Sequence, residues 1–293
     1  MAGCKVVAYA DDAALLVSSP SIRQLRRQIE SCIGKVQKWY TENGLLINSD
    51  KTEFMILKQR GTHEVNVRSG DKLITIKSKN CLKVLGMKID SQLTWSNHIA
   101  QIKSRTTNAI RNIARTNNVL SLKSRLTLTN ALVVPHYNYG DIIYDGCTAK
   151  VREDLERNQN YAARAMLGRP KYSSAMKALQ ELEWLPLHRR RQIHQCVFVH
   201  KALKGHSSYH ATNAIADIIP NHSHSTRQKQ ANTLYSWQHR TTLSEKSVLY
   251  ASTHAWSSCP KAVRAIKDTK NFKNQLQNFL IDNFKDSCVG ESS

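Results

Sequence analysis

The chain has 293 residues, 41% hydrophobic and 22% charged, which excludes a wholly disordered chain and is enough for about two domains. Lys and Arg number 43 against 22 Asp and Glu, a formal charge of +21. A folded surface this basic repels itself unless a polyanion covers it. Nucleic acid is the first expectation, because neutralised phosphates release counterions, and anionic lipid is the alternative. Seven cysteines stand singly with no C-x-x-C pair, so reduced thiols in an intracellular protein are expected, in nucleus or cytoplasm. No run of about 20 apolar residues predicts a membrane span, and the short apolar start predicts no signal peptide.

In chain order, Lys5–Tyr9 and Ala13–Val17 are apolar runs around Ala10-Asp11-Asp12, the pattern of a buried hairpin with acids at its tip. Ser19-Pro20 opens a helix whose apolar stripe is Ile22, Leu25, Ile29, Cys32, Ile33 and Val36, opposite Arg23, Arg26, Arg27, Lys35 and Lys38. Asn43-Gly44 is a turn signal. Strands are predicted at Leu45–Ile47, Phe54–Leu57, Leu73–Ile76 and Val84–Ile89. Beyond Asp90 the pattern turns helical. Ile99, Ile102, Ala109, Ile110 and Ile113 form one stripe. Ser121 caps a second helix ending at Val134-Pro135. Val151–Leu167 and Arg189–Leu203 are further helices, and Asn271–Phe284 is the last. Between Trp184 and Arg240 lie one acid, Asp217, and eight of the twelve histidines. Residues 221–232 read as a polar loop.

Adjacent acids framed by apolar strands have two readings. Left buried, two like charges require a cation, and Mg²⁺ is the carboxylate-binding ion that supports phosphoryl chemistry. In the other reading they sit in a solvated turn. Lys51 is either a cation placed against a leaving pyrophosphate or a solvated turn lysine. Gly86 either allows close backbone approach or marks a bulge. His194 with Cys196, His206 with His210, and His222 with His224 are close in sequence, yet none has zinc-ligand spacing. The basic run Leu187-His188-Arg189-Arg190-Arg191 suits phosphate contact, nuclear entry or a solvated helix start. Trp39, Tyr40, Trp95, Tyr137, Tyr139 and Trp184 are expected in or near the core.

Tyr9-Ala10-Asp11-Asp12, Asn48-Ser49-Asp50-Lys51-Thr52-Glu53, Val84-Leu85-Gly86-Met87-Lys88-Ile89-Asp90 and Leu93-Thr94-Trp95-Ser96-Asn97-His98-Ile99 stand in the order of four motifs of one family. Toward the end, Ala255-Trp256-Ser257-Ser258-Cys259-Pro260 and Phe272-Lys273-Asn274-Gln275-Leu276 match its tail. Through these segments the chain resembles the C-terminal part of a non-LTR (LINE-type, jockey-like) retrotransposon reverse transcriptase. The resemblance implies an α/β (α+β) partial palm over residues 1–92, a mainly α-helical thumb-like region over 93–205, and a C-terminal region over 206–293. It implies RNA-directed DNA polymerase chemistry with Mg²⁺, deoxynucleoside triphosphates, an RNA template and a DNA primer. Asp11 and Asp12 match the palm carboxylates that bind metal, Asp11 the more direct ligand. Tyr9 would lie beside the primer end, Lys51 near the triphosphate, and Leu85-Gly86 against the primer backbone. The family's further carboxylate and its fingers precede the hairpin, and residues 1–10 hold no acid. The chain alone is therefore expected to be inactive. The competing expectation is a non-catalytic, basic nucleic-acid-binding protein descended from such an element.

Overall fold

A computed structural model describes residues 4–10, 12–45, 47–48, 50–59, 61–69, 72–218, 234 and 241–286. The chain divides into two compact units, residues 1–93 and 94–293.

In the first unit, β1 (Cys4–Tyr9) and β2 (Asp12–Val17) form an antiparallel hairpin that pairs Tyr9 with Asp12. Ser21 caps α1 (Ile22–Glu42), its side chain accepting from the Gln24 N–H. Pro20 thus precedes the cap instead of lying in the first turn. The six apolar residues of the α1 stripe are half-buried and its five basic residues are exposed, as the helical period requires. At the other end, the Leu45 N–H donates to Tyr40 O and the Gly44 N–H to Thr41 O, with Gly44 at φ +70°. This is the paired-bond C-terminal cap that favours glycine. The helix lies against β3 (Glu64–Ser69) and β2. Glu30 accepts from the Asn66 N–H at 3.2 Å.

β3 pairs with β4 (Lys72–Lys77), and β5 (Cys81–Val84) with β6 (Met87–Asp90), both antiparallel. Four expectations need correcting. Residues 54–57 are not a strand, nor are the described residues 45 and 47. In the intervening turn, the Asn48 side chain accepts from the Asp50 and Lys51 N–H groups. Such local side-chain bonds compete with a sheet ladder. Val84–Ile89 is two strands around a turn, because Leu85 and Gly86 both have positive φ. The β1–β2 hairpin is not buried either: Val6, Val7, Tyr9 and Leu16 are 52–68% exposed. Among the described residues its sheet has two strands, too few to enclose a core without a second layer. The buried apolar residues of this unit are Ile56, Val65, Val67 and Met87.

The second unit is helical: α2 (Ser96–Ala114), α3 (Leu122–Leu132), α4 (Val134–Asn138), α5 (Ala149–Met166), α6 (Ala175–Glu181) and α7 (Leu187–Leu203) come first. After them come α8 (Tyr209–Ala216), α9 (Thr242–Glu245), α10 (Val248–Ser258), α11 (Lys261–Arg264) and α12 (Thr269–Asp286). Ser121 caps α3 by accepting from the Ser124 N–H. Pro135 does not end the helical run; it sits in the first turn of α4, where its missing N–H costs nothing. Ile99, Ile102, Ile110 and Ile113 of α2 are buried, as are Leu155, Ala162, Ala163 and Met166 of α5. Asn158 of α5 binds this layer by accepting from Thr106 Oγ1 and Tyr137 OH, both at 2.6 Å.

One core gathers Ile193, Cys196 and Val199 of α7 with Ile215, Leu234, Trp256, Phe272 and Leu276. It therefore draws on residues to either side of position 205. His200 is fixed inside it, stacked on Phe272 at 4.4 Å, its Nε2 2.8 Å from Ile266 O. The Cys196 and Cys259 thiols, 63 positions apart, lie in this core, and the neighbouring Cys259 thiol together with burial pushes Cys196 well above the usual thiol range. The predicted polar loop, residues 221–232, lies outside the described residues.

Candidate functional site

The Tyr9–Asp12 pairing leaves Ala10 and Asp11 to close the first hairpin. Ala10 is in the left-handed region, at φ +53°. Two-residue hairpin loops demand such a φ, and Gly, Asn or Asp normally supplies it. Alanine there carries strain of roughly 1–2 kcal/mol. Asp12, the first residue of β2, is exposed, and Tyr9 opposite it is 68% exposed. Asp11 lies outside the described residues. The tip thus offers the open Asp12 carboxylate beside an open aromatic ring, where a buried position was expected.

The other candidates sit on turns of their own. Asn48 organises the second: its Oδ1 accepts from the Asp50 N–H at 3.0 Å and from the Lys51 N–H at 3.2 Å, and its carbonyl accepts from Thr52 Oγ1 at 2.7 Å. Asn48 and Thr52 are the spaced polar residues of the motif, and their geometry leaves the Lys51 side chain exposed. Leu85 and Gly86 form the third, with φ +46° and +83°. Positive φ at both central residues matches the twist of the flanking strands. Leu85 is 47% exposed, a large apolar side chain held in a strained conformation at a solvent-facing tip.

Magnesium takes an octahedron of oxygens. Among the described residues no group of three or more His, Cys, Asp and Glu could hold a metal ion. Asp12 by itself does not make a divalent site.

Part of the basic run at 187–191 is structural, while His188 and Arg189 are exposed. Glu156 of α5 accepts from the Leu187 and His188 N–H groups at 3.0 and 2.8 Å, giving the start of α7 an anion. Arg191 is 2% exposed, its Nε 3.2 Å from Asp145 and its Nη2 3.8 Å from Glu156. Neither nitrogen makes an aligned hydrogen bond in the protein, so charge holds this arginine more than directional bonding does. Burial raises the Glu156 carboxyl, but the His188 side chain and the two backbone donors outweigh it and hold the group below its ordinary value. Sequence reading missed this cluster because its acids, Asp145 and Glu156, lie 46 and 35 residues before the arginine. Of the aromatics, Trp95 and Tyr137 are buried and Tyr40 and Trp184 half-buried, but Trp39 and Tyr139 are 57% and 55% exposed.

Residues 1–89 match the reverse transcriptase (RNA-dependent DNA polymerase) family. The likeness to reverse transcriptases thus covers the first unit. This segment contains all three turns and every candidate residue named on them. The RNA-directed DNA polymerase from mobile element jockey of Drosophila melanogaster is 26% identical over 148 residues, 50% of this chain and 16% of the relative. A retrovirus-related Pol polyprotein from the type-1 retrotransposable element R1 of Nasonia vitripennis is 28% identical over 195 residues, 62% of this chain and 57% of the relative. Both alignments are longer than the reverse transcriptase segment, so the likeness runs into the helical unit. The matched part covers 14%, 18% and 16% of the length of three Drosophila melanogaster relatives. No solved structure matches the chain. These likenesses are all to proteins of transposable elements, and no helix among the described residues is long and apolar enough to cross a membrane.

Proposed function

We propose that these residues are the C-terminal portion of a non-LTR retrotransposon RNA-directed DNA polymerase. Residues 1–92 would be part of its palm, 93–205 a thumb-like region and 206–293 a C-terminal region. The observation that carries this reading is the reverse transcriptase match over 1–89, which includes a hairpin whose tip holds Tyr9 and Asp12 open to solvent.

In this reading Asp11 and Asp12 supply carboxylates for Mg²⁺, which when bound lowers the barrier to attack by a primer 3′-hydroxyl on a triphosphate. Tyr9 lies beside the primer end. Lys51 puts an ammonium near the leaving pyrophosphate, where positive charge favours departure. Leu85 and Gly86 press the β5–β6 turn against the primer backbone, and the second unit holds the template–primer duplex through phosphates. The remaining metal-binding carboxylate comes from outside residues 1–10, which hold no acid. The 293-residue chain accordingly binds template–primer and does not extend it.

A primer carrying a photoreactive 3′-terminal nucleotide, annealed to RNA and irradiated with the chain, tests the placement. Adducts at Tyr9 or at Leu85-Gly86 are expected. Adducts confined to residues after 93 would contradict the palm assignment. The formal charge of +21 also supports a second reading, in which the chain binds nucleic acid and performs no chemistry. Full binding by an Asp11→Asn/Asp12→Asn variant, with adducts outside the hairpin, would support that reading.

A further inference from the structure

We infer that the end of the helical unit built from the α2–α3 and α5–α6 loops is a single-stranded nucleic-acid site, with Tyr172 as its base-stacking platform. The proposal rests on the nucleic-acid reading above and adds a place and a strand preference to it.

Two loops meet here. Asn117, between α2 and α3, donates from Nδ2 to Ala165 O at 3.3 Å, at the C-terminal end of α5. Arg125 Nη1 donates to Asn117 Oδ1 at 2.5 Å and to Met166 O at 2.6 Å, joining the start of α3 to the same carbonyl end. Gly168, at φ +65°, begins the α5–α6 loop directly under Asn117: a Cβ there would lie 3.7 Å from Asn117 Nδ2. The loop bases are therefore fixed, and what they display is set by the fold.

They display an aromatic ring among cations. Tyr172 is 93% exposed, although burying an aromatic side chain is ordinarily among the larger gains of folding. Lys171 Nζ lies over its ring, 6.0 Å from the centroid. Arg115, Lys123 and Lys177 are exposed on the flanking segments. Arg169 pairs with Glu181, the first acid after Glu156. From Ser91 to Gly140, fifty residues spanning α2, the first loop and α3, there is no Asp or Glu at all. The acids at the end of α6, Glu181 and Glu183, are each paired with a cation, Arg169 and Lys285, so the exposed cations are left to attract a polyanion.

The ring decides between strands. In a duplex the bases already stack on one another, and a protein meets phosphates and groove edges. An unpaired base offers a free π-face, and an exposed tyrosine beside cations is the arrangement that stacks it regardless of sequence. Tyr172 carries no packing role that this would disturb.

The test compares the full chain with Tyr172→Ala, Tyr172→Phe and Lys171→Gln. Each is titrated by fluorescence anisotropy against a labelled 20-nucleotide single strand and a 20-base-pair duplex. Tyr172→Ala is expected to weaken single-strand binding about tenfold, with duplex binding and thermal melting unchanged. Tyr172→Phe should bind the single strand like the parent. Lys171→Gln should lower the salt dependence of binding by close to one phosphate. Parent-like single-strand binding by Tyr172→Ala overturns the site while leaving the broader nucleic-acid reading standing. Equal losses on single strand and duplex overturn the stacking role. A parent chain that binds neither probe overturns both.

Discussion

At the scale of residues, the informative positions are those where local preference and observed conformation disagree. Ala10 and Leu85 each hold a left-handed φ at a hairpin tip, where Asn or Gly would fit without strain. Strained non-glycine residues persist where something other than stability retains them. Leu85→Asn is expected to stabilise the chain by about 1 kcal/mol in urea unfolding while weakening template–primer binding. Loss of stability would remove the strain argument. Arg191 presents the opposite case. With the arginine cut to Ala, Asp145 and Glu156 are left beside a buried void without their cation, so a loss of about 3 kcal/mol is expected. Glu156 also sets a pH dependence. Its carboxyl is held below the ordinary value in the folded chain, so its contribution is full above the unfolded pKa of about 4.3. That contribution disappears as pH falls through the lower folded value. Glu156→Gln should flatten the acid limb of melting temperature against pH, and an unchanged limb would show that other carboxylates control it.

Among the elements, what could be read in advance was whatever repeats along the chain. The α1 stripe, the isoleucines of α2 and the Ser121 cap all follow from helical spacing and end chemistry. They appear in the structure within a few residues of expectation. The cap offers a direct check: Ser121→Ala should cost about 1 kcal/mol of stability and Ser121→Gly only a few tenths, so equal losses would mean that the hydroxyl contributes nothing. Elements shorter than two turns were not legible. α6, α9 and α11 have too few residues for a period to register, and α8 and α10 lie in polar or mixed sequence without a clear stripe. The false strand at 54–57 has another cause. Phe54–Leu57 is an apolar run, but Asn48 turns the chain just ahead of it through side-chain bonds that no alternation pattern reveals. The apolar pattern misread Val84–Ile89 as one strand because leucine is a poor signal for a turn, although the motif the segment resembles is a Leu-Gly hairpin, as found.

On the scale of the whole molecule, composition foretold a basic surface but not its arrangement. The run at 187–191 is the densest cluster of positive charge in the sequence, yet Arg191 is spent on Asp145 and Glu156 inside the second unit. The acid-free stretch from Ser91 to Gly140 is less conspicuous, and it leaves Arg105, Arg111, Arg115 and Lys123 on the surface. Asp12 and Lys51 could be placed at turns from sequence pattern alone, whereas the same pattern reads Leu85 and Gly86 as part of a strand. The openness of the first hairpin could not be read, since alternation of apolar residues records a capacity for burial and nothing about what covers them. The central claim is that these 293 residues hold a nucleic-acid grip and only part of a polymerase centre. The most direct measurement is RNA-templated primer extension in Mg²⁺ by the purified chain and by its Asp11→Asn/Asp12→Asn variant, with template–primer binding scored in the same samples. Binding by both and extension by neither is the predicted result; extension by the parent and not by the variant would contradict it.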